Sequence, residues 1–298
     1  MKLLLLGKNG QVGWELQRSL APLGELLALD CASQAYCGDL NDLPGLAATV
    51  QRFAPDVIVN AAAYTAVDKA ESESQLAHRV NADAPAVLAR EALRLKALLV
   101  HYSTDYVFAG QGDTPWQEND PVAPLSVYGA SKLAGEQAIV ASGCAHLIFR
   151  TSWVYAARGN NFATTMLRLA RERESLAVID DQFGAPTGAE LLADVTAHAI
   201  RSLMTDPQLG GIYHLAAAGE TTWCRYARFV LEHAERSGMN LKVTPAMVDA
   251  IATQAYPTPA RRPNNSRLDT RKLQKAFALS LPDWKVGVTR MLAEILEK

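Results

Sequence analysis

The sequence predicts an α/β fold, in which a doubly wound parallel sheet is followed by a smaller C-terminal domain. Two observations lead to this fold class. Over the first 150 residues, short apolar runs alternate with amphipathic stretches, as in repeated strand–helix units. The apolar runs also lack the period-two alternation of half-exposed strands, which is expected when both faces of a parallel sheet are covered.

Strands and helices alternate regularly only in the first half of the chain. Strands are expected at residues 3–6, 26–29, 57–60, 98–103 and 147–151, and helices at 12–20, 43–53, 76–95 and 128–140. In the second half, helices are expected at 162–173, 190–204, 222–236 and 285–297, with short strands at 177–179 and 212–215. The segment 255–263 contains three prolines and is expected to form a loop, because proline lacks an amide donor.

Composition limits the partners that the chain can have. With 49% hydrophobic and 20% charged residues among 298, the chain has the balance of a soluble globular protein. The net charge of −2 provides no overall basic field for nucleic acid. The apolar run 3–6 is shorter than a signal peptide or membrane helix requires, so we expect a cytoplasmic protein without a membrane partner. Four cysteines without CxxC spacing are expected to be reduced and mostly buried: Cys31, Cys37, Cys144 and Cys224.

A glycine motif lies between the first predicted strand and the first predicted helix. Gly7, Gly10 and Gly13 form GxxGxxG, which suits a tight turn, close approach of a pyrophosphate and close helix–strand packing, respectively. Asp30 ends the second strand, where a carboxylate can accept hydrogen bonds from an adenosine ribose and favours NADH. Lys8 offsets part of that preference, so the choice between NADPH and NADH stays open. A strand–turn–helix unit without a ligand is the alternative.

Two other segments are expected near the same ligand. Residues 38–40 are expected to face an adenine, and the small side chains at 60–63 let a dinucleotide lie flat across the strand ends. Tight helix–sheet packing would explain those alanines almost as well.

Tyr128 and Lys132 are four residues apart and therefore share one helix face. Hydride delivery to a ketone leaves an alkoxide that needs a proton, and tyrosine, with a pKa of about 10, is a weak acid for this task. We predict that Tyr128 donates the proton, that Lys132 lowers its pKa and binds the cofactor ribose, and that Thr104 orients the substrate. A nicotinamide must supply the redox step. A solvated helix face is the alternative interpretation.

Together, the glycine motif, the segment NAAA at 60–63, STDYVF at 103–108 and YGASK at 128–132 resemble the Rossmann-like, extended short-chain dehydrogenase/reductases. Four further segments are similar to the family of dTDP-4-dehydrorhamnose reductases: NAAAYTAVDKAE at 60–71, RTSWVY at 150–155, DQFGAPTGAE at 181–190 and RPNNSRL at 262–268. The resemblance extends from about residue 2 to about residue 294. It implies reduction of the 4-keto group of dTDP-4-dehydro-β-L-rhamnose by NADPH or NADH, in a homodimer with Mg²⁺ at the subunit contact.

The resemblance also implies a set of site residues. Cofactor contacts are expected from Gly7, Gly10, Gln11, Val12, Gly13, Asp30, Asp39, Leu40, Ala62, Ala63, Tyr64, Tyr102 and Lys132. The nucleotide-sugar substrate is expected to contact Thr104, Asp105, Trp153, Gln182, Arg261 and Arg262, with Arg267 adding positive charge for the diphosphate. The metal is expected at Glu15 and Glu190, with Glu294 as a weaker candidate.

The chain is expected to divide by function. Residues 1–150 would form the dinucleotide-binding domain, with part of 185–215 returning to it, and 151–298 would mainly bind substrate. Two alternatives to the reductase are a non-catalytic NADP-binding regulatory subunit of the same fold and a nucleotide-sugar 4-epimerase. The complete set of Thr104, Tyr128 and Lys132 favours an enzyme over the regulatory subunit.

Overall fold

The computed structural model describes residues 1–296 as twelve strands and eleven α-helices. The strands are β1 (Lys2–Leu6), β2 (Glu25–Leu29), β3 (Val57–Asn60), β4 (Leu98–Thr104), β5 (His146–Thr151), β6 (Val154–Tyr155), β7 (Leu176–Ile179), β8 (Phe183–Gly184), β9 (Thr187–Gly188), β10 (Gly211–His214), β11 (Thr221–Thr222) and β12 (Val248–Ile251). The helices are α1 (Gln11–Leu20), α2 (Leu43–Phe53), α3 (Val67–Ala70), α4 (Ser74–His78), α5 (Ala84–Leu95), α6 (Val127–Ser142), α7 (Phe162–Glu172), α8 (Ala189–Thr205), α9 (Trp223–Arg236), α10 (Arg271–Phe277) and α11 (Trp284–Leu296).

The central sheet has six parallel strands in the order β2-β1-β3-β4-β5-β10. Its strands are apolar on both faces because helices cover both sides. In β1, Leu3 and Leu5 pack into one hydrophobic cluster, while Leu4 and Leu6 pack into another on the opposite face. The predicted α/β fold class with a doubly wound parallel sheet is therefore confirmed.

Part of the second half of the chain packs against the central sheet. Strand β10 pairs with β5 at the edge of the sheet, and α8 packs against α1 on one of its faces. The rest of the second half has its own apolar core, built mainly from α7, α9 and α11. Its strands form two-stranded pairs, β11 with β8, β12 with β7 and β6 with β9.

Several predicted elements differ from the structure. The single helix expected at 76–95 consists of α4 and α5, joined by a π-helical turn at Arg79–Asp83. Strand β7 corresponds to the strand expected at 177–179, but its partner β12 was not predicted. Helix α10 was not predicted either. The expected loop at 255–263 is irregular apart from Ala255, which closes a 3₁₀ turn. The helix expected at 285–297 ends, in the described residues, at Leu296, and residue 297 lies outside them.

All four cysteines are free thiols, but the expectation that most are buried was wrong for half of them. Cys144 and Cys224 are buried, whereas Cys37 is half-buried and Cys31 is exposed. In residues 1–296, no helix combines the length and the hydropathy needed to span a bilayer.

Candidate active site

The site begins where the strand order of the sheet reverses, between β1 and β3. Gly7 follows β1 with φ +90°, and a Cβ at this position would lie 2.8 Å from the Ala62 amide nitrogen. A Cβ on Gly13 would lie 2.0 Å from the Gly7 carbonyl oxygen. Both positions therefore need glycine, the first for a left-handed turn beside β3 and the second for close approach of α1. Gly10, Gln11 and Val12, at the start of α1, line the crevice, and the free amides of a helix N-terminus favour an anion there.

A cavity of about 810 Å³ lies along this crevice, at the carboxyl ends of the strands. Most of the residues expected to contact the cofactor line it: Gly7, Gly10, Gln11, Val12, Asp30, Asp39, Leu40, Ala62, Ala63, Tyr102 and Lys132. Two expected contacts do not. Gly13 lies below the cavity at the first turn of α1, and the Tyr64 hydroxyl donates to Glu73 instead.

At the adenosine end of the cavity, Asp30 is held by several groups. Its carboxylate accepts hydrogen bonds from the Ser33 hydroxyl at 2.8 Å and from the Asn9 amide, and Lys8 Nζ lies 3.8 Å away. The Ser33 hydrogen bond and the Lys8 charge lower the pKa of Asp30. The arrangement places a carboxylate and an ammonium side by side, where a ribose or its 2′-phosphate would meet them.

At the opposite end, Thr104, Tyr128 and Lys132 all line the same cavity. Ser126 caps α6 by accepting a hydrogen bond from Gly129, which places Tyr128 in the first turn of the helix. Gly129 has no side chain because a Cβ there would lie 2.3 Å from the Tyr106 carbonyl oxygen. The absence of a side chain lets α6 approach the turn that follows β4, and it brings the phenol beside the Thr104 hydroxyl.

The electrostatics of Tyr128 differ from the prediction. Desolvation and the neighbouring Asp105 carboxyl raise the pKa of Tyr128 to about 12, and the nearby Thr104 hydroxyl offsets only part of that shift. Lys132 does not lower the pKa of Tyr128 as expected, because its side chain points to Tyr102 and His101. Lys132 Nζ donates to the Tyr102 carbonyl oxygen at 2.5 Å and lies 3.2 Å from His101 Nε2. Burial lowers the pKa of Lys132 to about 8.

Asp105 also titrates at the reaction end, together with Tyr128 and Lys132. Its side chain is 2% exposed, and its Oδ1 accepts a hydrogen bond from the Thr104 hydroxyl at 3.1 Å. Burial raises the pKa of Asp105 to about 7, although the nearby Ser266 and Thr104 hydroxyls act in the opposite direction. Since Ser266 belongs to the predicted 262–268 segment, that loop comes close to Asp105 at the reaction end of the cavity.

Trp153 lines the cavity and is fixed on both sides. Its ring stacks on Trp223 with centroids 3.6 Å apart, and a Cβ on Gly184 would lie 2.8 Å from the indole. Its φ of +48° is unfavourable for a bulky side chain. Packing therefore holds Trp153 in a strained backbone conformation, with its indole at the cavity wall where the substrate is expected.

Three residues expected to contact the substrate do not line this cavity: Gln182, Arg261 and Arg262. Gln182 is 2% exposed and bonds to Trp223 and Thr253. The Arg262 guanidinium forms a bidentate pair with Asp68, at 2.7 and 3.0 Å. Because its partner is a carboxylate of the first half of the chain, Arg262 joins the two halves instead of facing an open diphosphate site.

Arg267, which was expected to add charge to the diphosphate site, is also paired in the structure. Its Nε lies 2.6 Å from Glu220, and its guanidinium covers the Phe183 ring. Arg261 is exposed.

Sequence reasoning missed several residues that line the cavity. Tyr106 packs edge-on against Tyr128 with centroids 5.5 Å apart, and Arg158 lies over the ring of the exposed Trp14. In the described residues, the buried hydroxyls of Ser103 and Ser152 make no hydrogen bond. The position of Ser103 at the end of a strand could have identified it, whereas Arg158 carries no local signal.

The glutamates expected to bind a metal do not form a metal site within the described part of the chain. Glu190 lies 3.5 Å from the Arg290 guanidinium, and Glu15 lies 3.4 Å from Arg18. Residues 1–296 contain no group of three or more His, Cys, Asp or Glu side chains that could hold a metal ion. The residues present do not fit a metal by themselves, and we derive no step through one.

The sheet order, the glycine turn and the tyrosine and lysine at the end of one cavity define the class. The protein is an oxidoreductase of the extended short-chain dehydrogenase/reductase type, which uses a nicotinamide cofactor. Comparison with known proteins gives the family within this class. The family model described as the RmlD substrate binding domain matches residues 1–297.

The chain is 62% identical, over 99% of its length and 98% of the relative, to the dTDP-4-dehydrorhamnose reductase of Shigella flexneri. A crystal structure of a dTDP-4-dehydrorhamnose reductase from Clostridium acetobutylicum superposes with a TM-score of 0.89 at 32% identity, covering 100% of both chains. The Bacillus anthracis reductase in complex with NADP gives a TM-score of 0.86 at 34% identity, covering 98% of this chain and 99% of the other. The chain belongs to the dTDP-4-dehydrorhamnose reductase family.

Proposed function

We propose that the protein reduces the 4-keto group of dTDP-4-dehydro-β-L-rhamnose to give dTDP-L-rhamnose, with NADPH or NADH. One observation carries the proposal: Thr104, Tyr128 and Lys132 open on the same cavity as the glycine turn. The bound nicotinamide supplies the hydride that reduces C4. Family membership supports a reductase over a regulatory subunit or a 4-epimerase.

The residues of this chain supply the proton and orient the substrate. Tyr128 is protonated at neutral pH, since its pKa is raised to about 12, and is available as a proton donor. Thr104 would turn its hydroxyl proton from Asp105 to the substrate carbonyl and hold that carbonyl beside the phenol. As the alkoxide develops, it becomes basic enough to take the phenolic proton of Tyr128. Lys132, which lines the same cavity, would hold the cofactor ribose and would stabilise negative charge on the phenol.

The cavity also has the features needed to hold the cofactor. Gly7 and Gly10 leave room for a diphosphate against the amides at the start of α1, where the helix dipole favours an anion. Asp30 and Lys8 would meet the adenosine ribose. Trp153 would border the sugar beside Thr104 and Asp105, which line the same cavity.

A panel of dTDP-, UDP- and GDP-linked 4-keto sugars, followed by nicotinamide absorbance, tests the reaction. Oxidation of NADPH or NADH is expected with the dTDP-4-dehydrorhamnose substrate. Tyr128→Phe should lower kcat by at least about a hundredfold, because the proton donor is lost. Tyr256→Phe, at an exposed tyrosine outside the cavity, is the matched control and should keep full activity. Full turnover in Tyr128→Phe would refute the mechanism, and tightly retained NAD without net reduction would favour an epimerase.

We also propose, from the family resemblance, a cytoplasmic homodimer whose partner molecules are nucleotide sugars and not nucleic acids. Residues 1–150 would bind the cofactor together with part of 185–215, and the rest of the chain would mainly bind substrate. Trp14 and Val286 are 45% and 61% exposed and lie on α1 and α11, the helices that carry Glu15 and Glu294, which supports a subunit contact at this surface. Sedimentation should give a dimer, and repeating it with a chelator tests whether Mg²⁺ bound between two chains contributes.

A further inference from the structure

A line of buried polar groups runs beneath the reaction end of the cavity. Asn60 ends β3, His101 lies in β4 and Lys132 lies in α6, and each is at most 2% exposed. The Ala62 amide donates to Asn60 Oδ1 at 3.2 Å, and Asn60 Nδ2 lies 3.2 Å from His101 Nδ1. His101 Nε2 lies 3.2 Å from Lys132 Nζ, which donates to the Tyr102 carbonyl oxygen at 2.5 Å.

The first link fixes the direction of the others. A backbone amide can only donate, so the Asn60 oxygen faces Ala62 and the Asn60 NH₂ group faces His101. His101 Nδ1 must then accept, and the proton of a neutral imidazole stays on Nε2. His101 is neutral because burial holds its pKa well below the usual range. Nε2–H therefore points at Lys132.

This direction conflicts with an ammonium at Lys132. An ammonium has no lone pair, so a line that has donors at both ends must leave one link unmade. An uncharged amine accepts from Nε2–H and donates to the Tyr102 carbonyl, and every link is then made. We infer that Asn60 and His101 form a directional hydrogen-bond chain that favours the uncharged amine of Lys132, and that His101 is a positioning residue whose tautomer is coupled to the charge of Lys132.

The charged and titratable groups around Lys132 leave room for this coupling. Glu136 lies one turn further along α6 and attracts a positive charge, but its carboxylate is already bound by Arg150 of β5 at 2.6 Å. Tyr128, on the same helix, is a neutral phenol. Asp105, after β4, lies beside Tyr128. Burial outweighs the attraction of Glu136 and lowers the pKa of Lys132 to about 8, the same direction that the chain requires.

The inference depends on the proposed function only for the role of Lys132 in catalysis, and its test needs neither cofactor nor substrate. In the full-length, ligand-free chain with ¹⁵N-labelled histidine, His101 is expected to show the Nε2–H tautomer at pH 9. His101→Gln identifies its signals. A ¹³C-labelled lysine sample, with Lys132→Met for assignment, follows the charge of Lys132. The His101 nitrogen shifts should change with the same midpoint as Lys132.

An Nδ1–H tautomer at pH 9, or a Lys132 titration that leaves the His101 shifts unchanged, would overturn the inference. The spectra are recorded without cofactor or substrate and do not depend on the reductase assay. Failure of the inference and failure of the proposed function are therefore distinguishable.

Asn60→Asp sharpens the test by reversing the chain. A carboxylate accepts from both Ala62 and His101 Nδ1–H, which frees Nε2 to accept from an ammonium. The variant should therefore switch His101 to the Nδ1–H tautomer and raise the midpoint of Lys132 by at least about one unit. Asn81→Asp is the matched control: it adds a carboxylate at another buried amide, bonded to Ser131 next to Lys132, and should leave the His101 tautomer unchanged. An Nε2–H tautomer of His101 in Asn60→Asp would contradict the directional hydrogen-bond chain. If that variant does not fold, the wild-type spectra alone test the inference.

Discussion

The two ends of the cofactor cavity differ in how they treat charge. At the reaction end, desolvation dominates: burial raises the pKa of Asp105 to about 7 and lowers that of Lys132 to about 8. At the adenosine end, the side chains of Lys8 and Asp30 keep 31% and 17% of their exposure, and hydrogen bonding lowers the pKa of Asp30. The buried end therefore favours neutral groups, whereas the exposed end holds an ion pair.

The difference in exposure between the two ends determines how much a charge there contributes to stability. A charge in water is screened and costs little to remove, whereas a buried charge depends entirely on its partners. Substitutions near the reaction end should therefore change the stability of the whole protein. Substitutions at the adenosine end should change mainly ligand preference.

The largest effect is expected at the buried ion pair behind the reaction end. Arg150 and Glu136 are 4% and 2% exposed in their side chains and are 2.6 Å apart. Glu136→Gln should lower the free energy of unfolding by about 3–5 kcal/mol, because it leaves a buried guanidinium without its counter-charge. Urea denaturation measures the change.

The control for this pair is an exposed one. Arg168 and Glu172 are 2.8 Å apart but 58% and 53% exposed, and Glu172→Gln should cost less than about 1 kcal/mol. Equal losses in the two variants would mean that burial does not decide the strength of these pairs.

A smaller effect is expected from the titration of Asp105. Its pKa is about 7 in the folded protein and about 3.9 in an unfolded chain, so between these values only the unfolded chain releases the proton. The contribution of Asp105 to stability is therefore present at low pH and is lost as the pH rises to about 7. Asp105→Asn should gain about 2–3 kcal/mol relative to wild type between pH 5 and pH 8.

Denaturation curves at several pH values measure this difference. Asp113→Asn, at an exposed aspartate, should show no such trend and serves as the control. A difference between Asp105→Asn and wild type that stays constant with pH would show that Asp105 ionises normally in the folded protein.

Much of the fold could be predicted because its signals are local. Each central strand is a short apolar run, and the strand–helix alternation determines a parallel sheet. Other elements lack such a signal. Strands such as β8 and β11 have two residues each and exist only through their pairing, and β12 finds its partner β7 far back along the chain. The π-helical turn before α5 interrupts a pattern that reads as one helix.

The site divides in the same way. Tyr128 and Lys132 could be predicted to share a helix face because their spacing alone determines it. The partners of charged side chains could not be predicted, because they depend on tertiary packing. Arg262 pairs with Asp68, 194 residues away, and Lys132 turns towards His101 rather than towards Tyr128. Burial and the Asp105 carboxyl therefore raise the pKa of Tyr128, with no lowering by Lys132 to oppose them.

The smallest effect is expected at the exposed end, where it changes cofactor preference. Asp30 can accept hydrogen bonds from the ribose of NADH but repels the 2′-phosphate of NADPH, while Lys8, 3.8 Å from it, attracts that phosphate. Asp30→Ala should therefore raise the Kd of NADH by roughly five- to tenfold and change that of NADPH by less than about twofold. Fluorescence titration with each cofactor measures both Kd values. Lys8→Gln should have the opposite selectivity and raise the Kd of NADPH more than that of NADH. Because Lys8 and Asp30 are partly exposed, the change that Lys8→Gln causes in the Kd of NADPH should be smaller at high salt, as expected for screened charges. Equal weakening of both cofactors by Asp30→Ala would exclude the ribose contact and would leave Asp30 with a role only in holding the turn around Ser33.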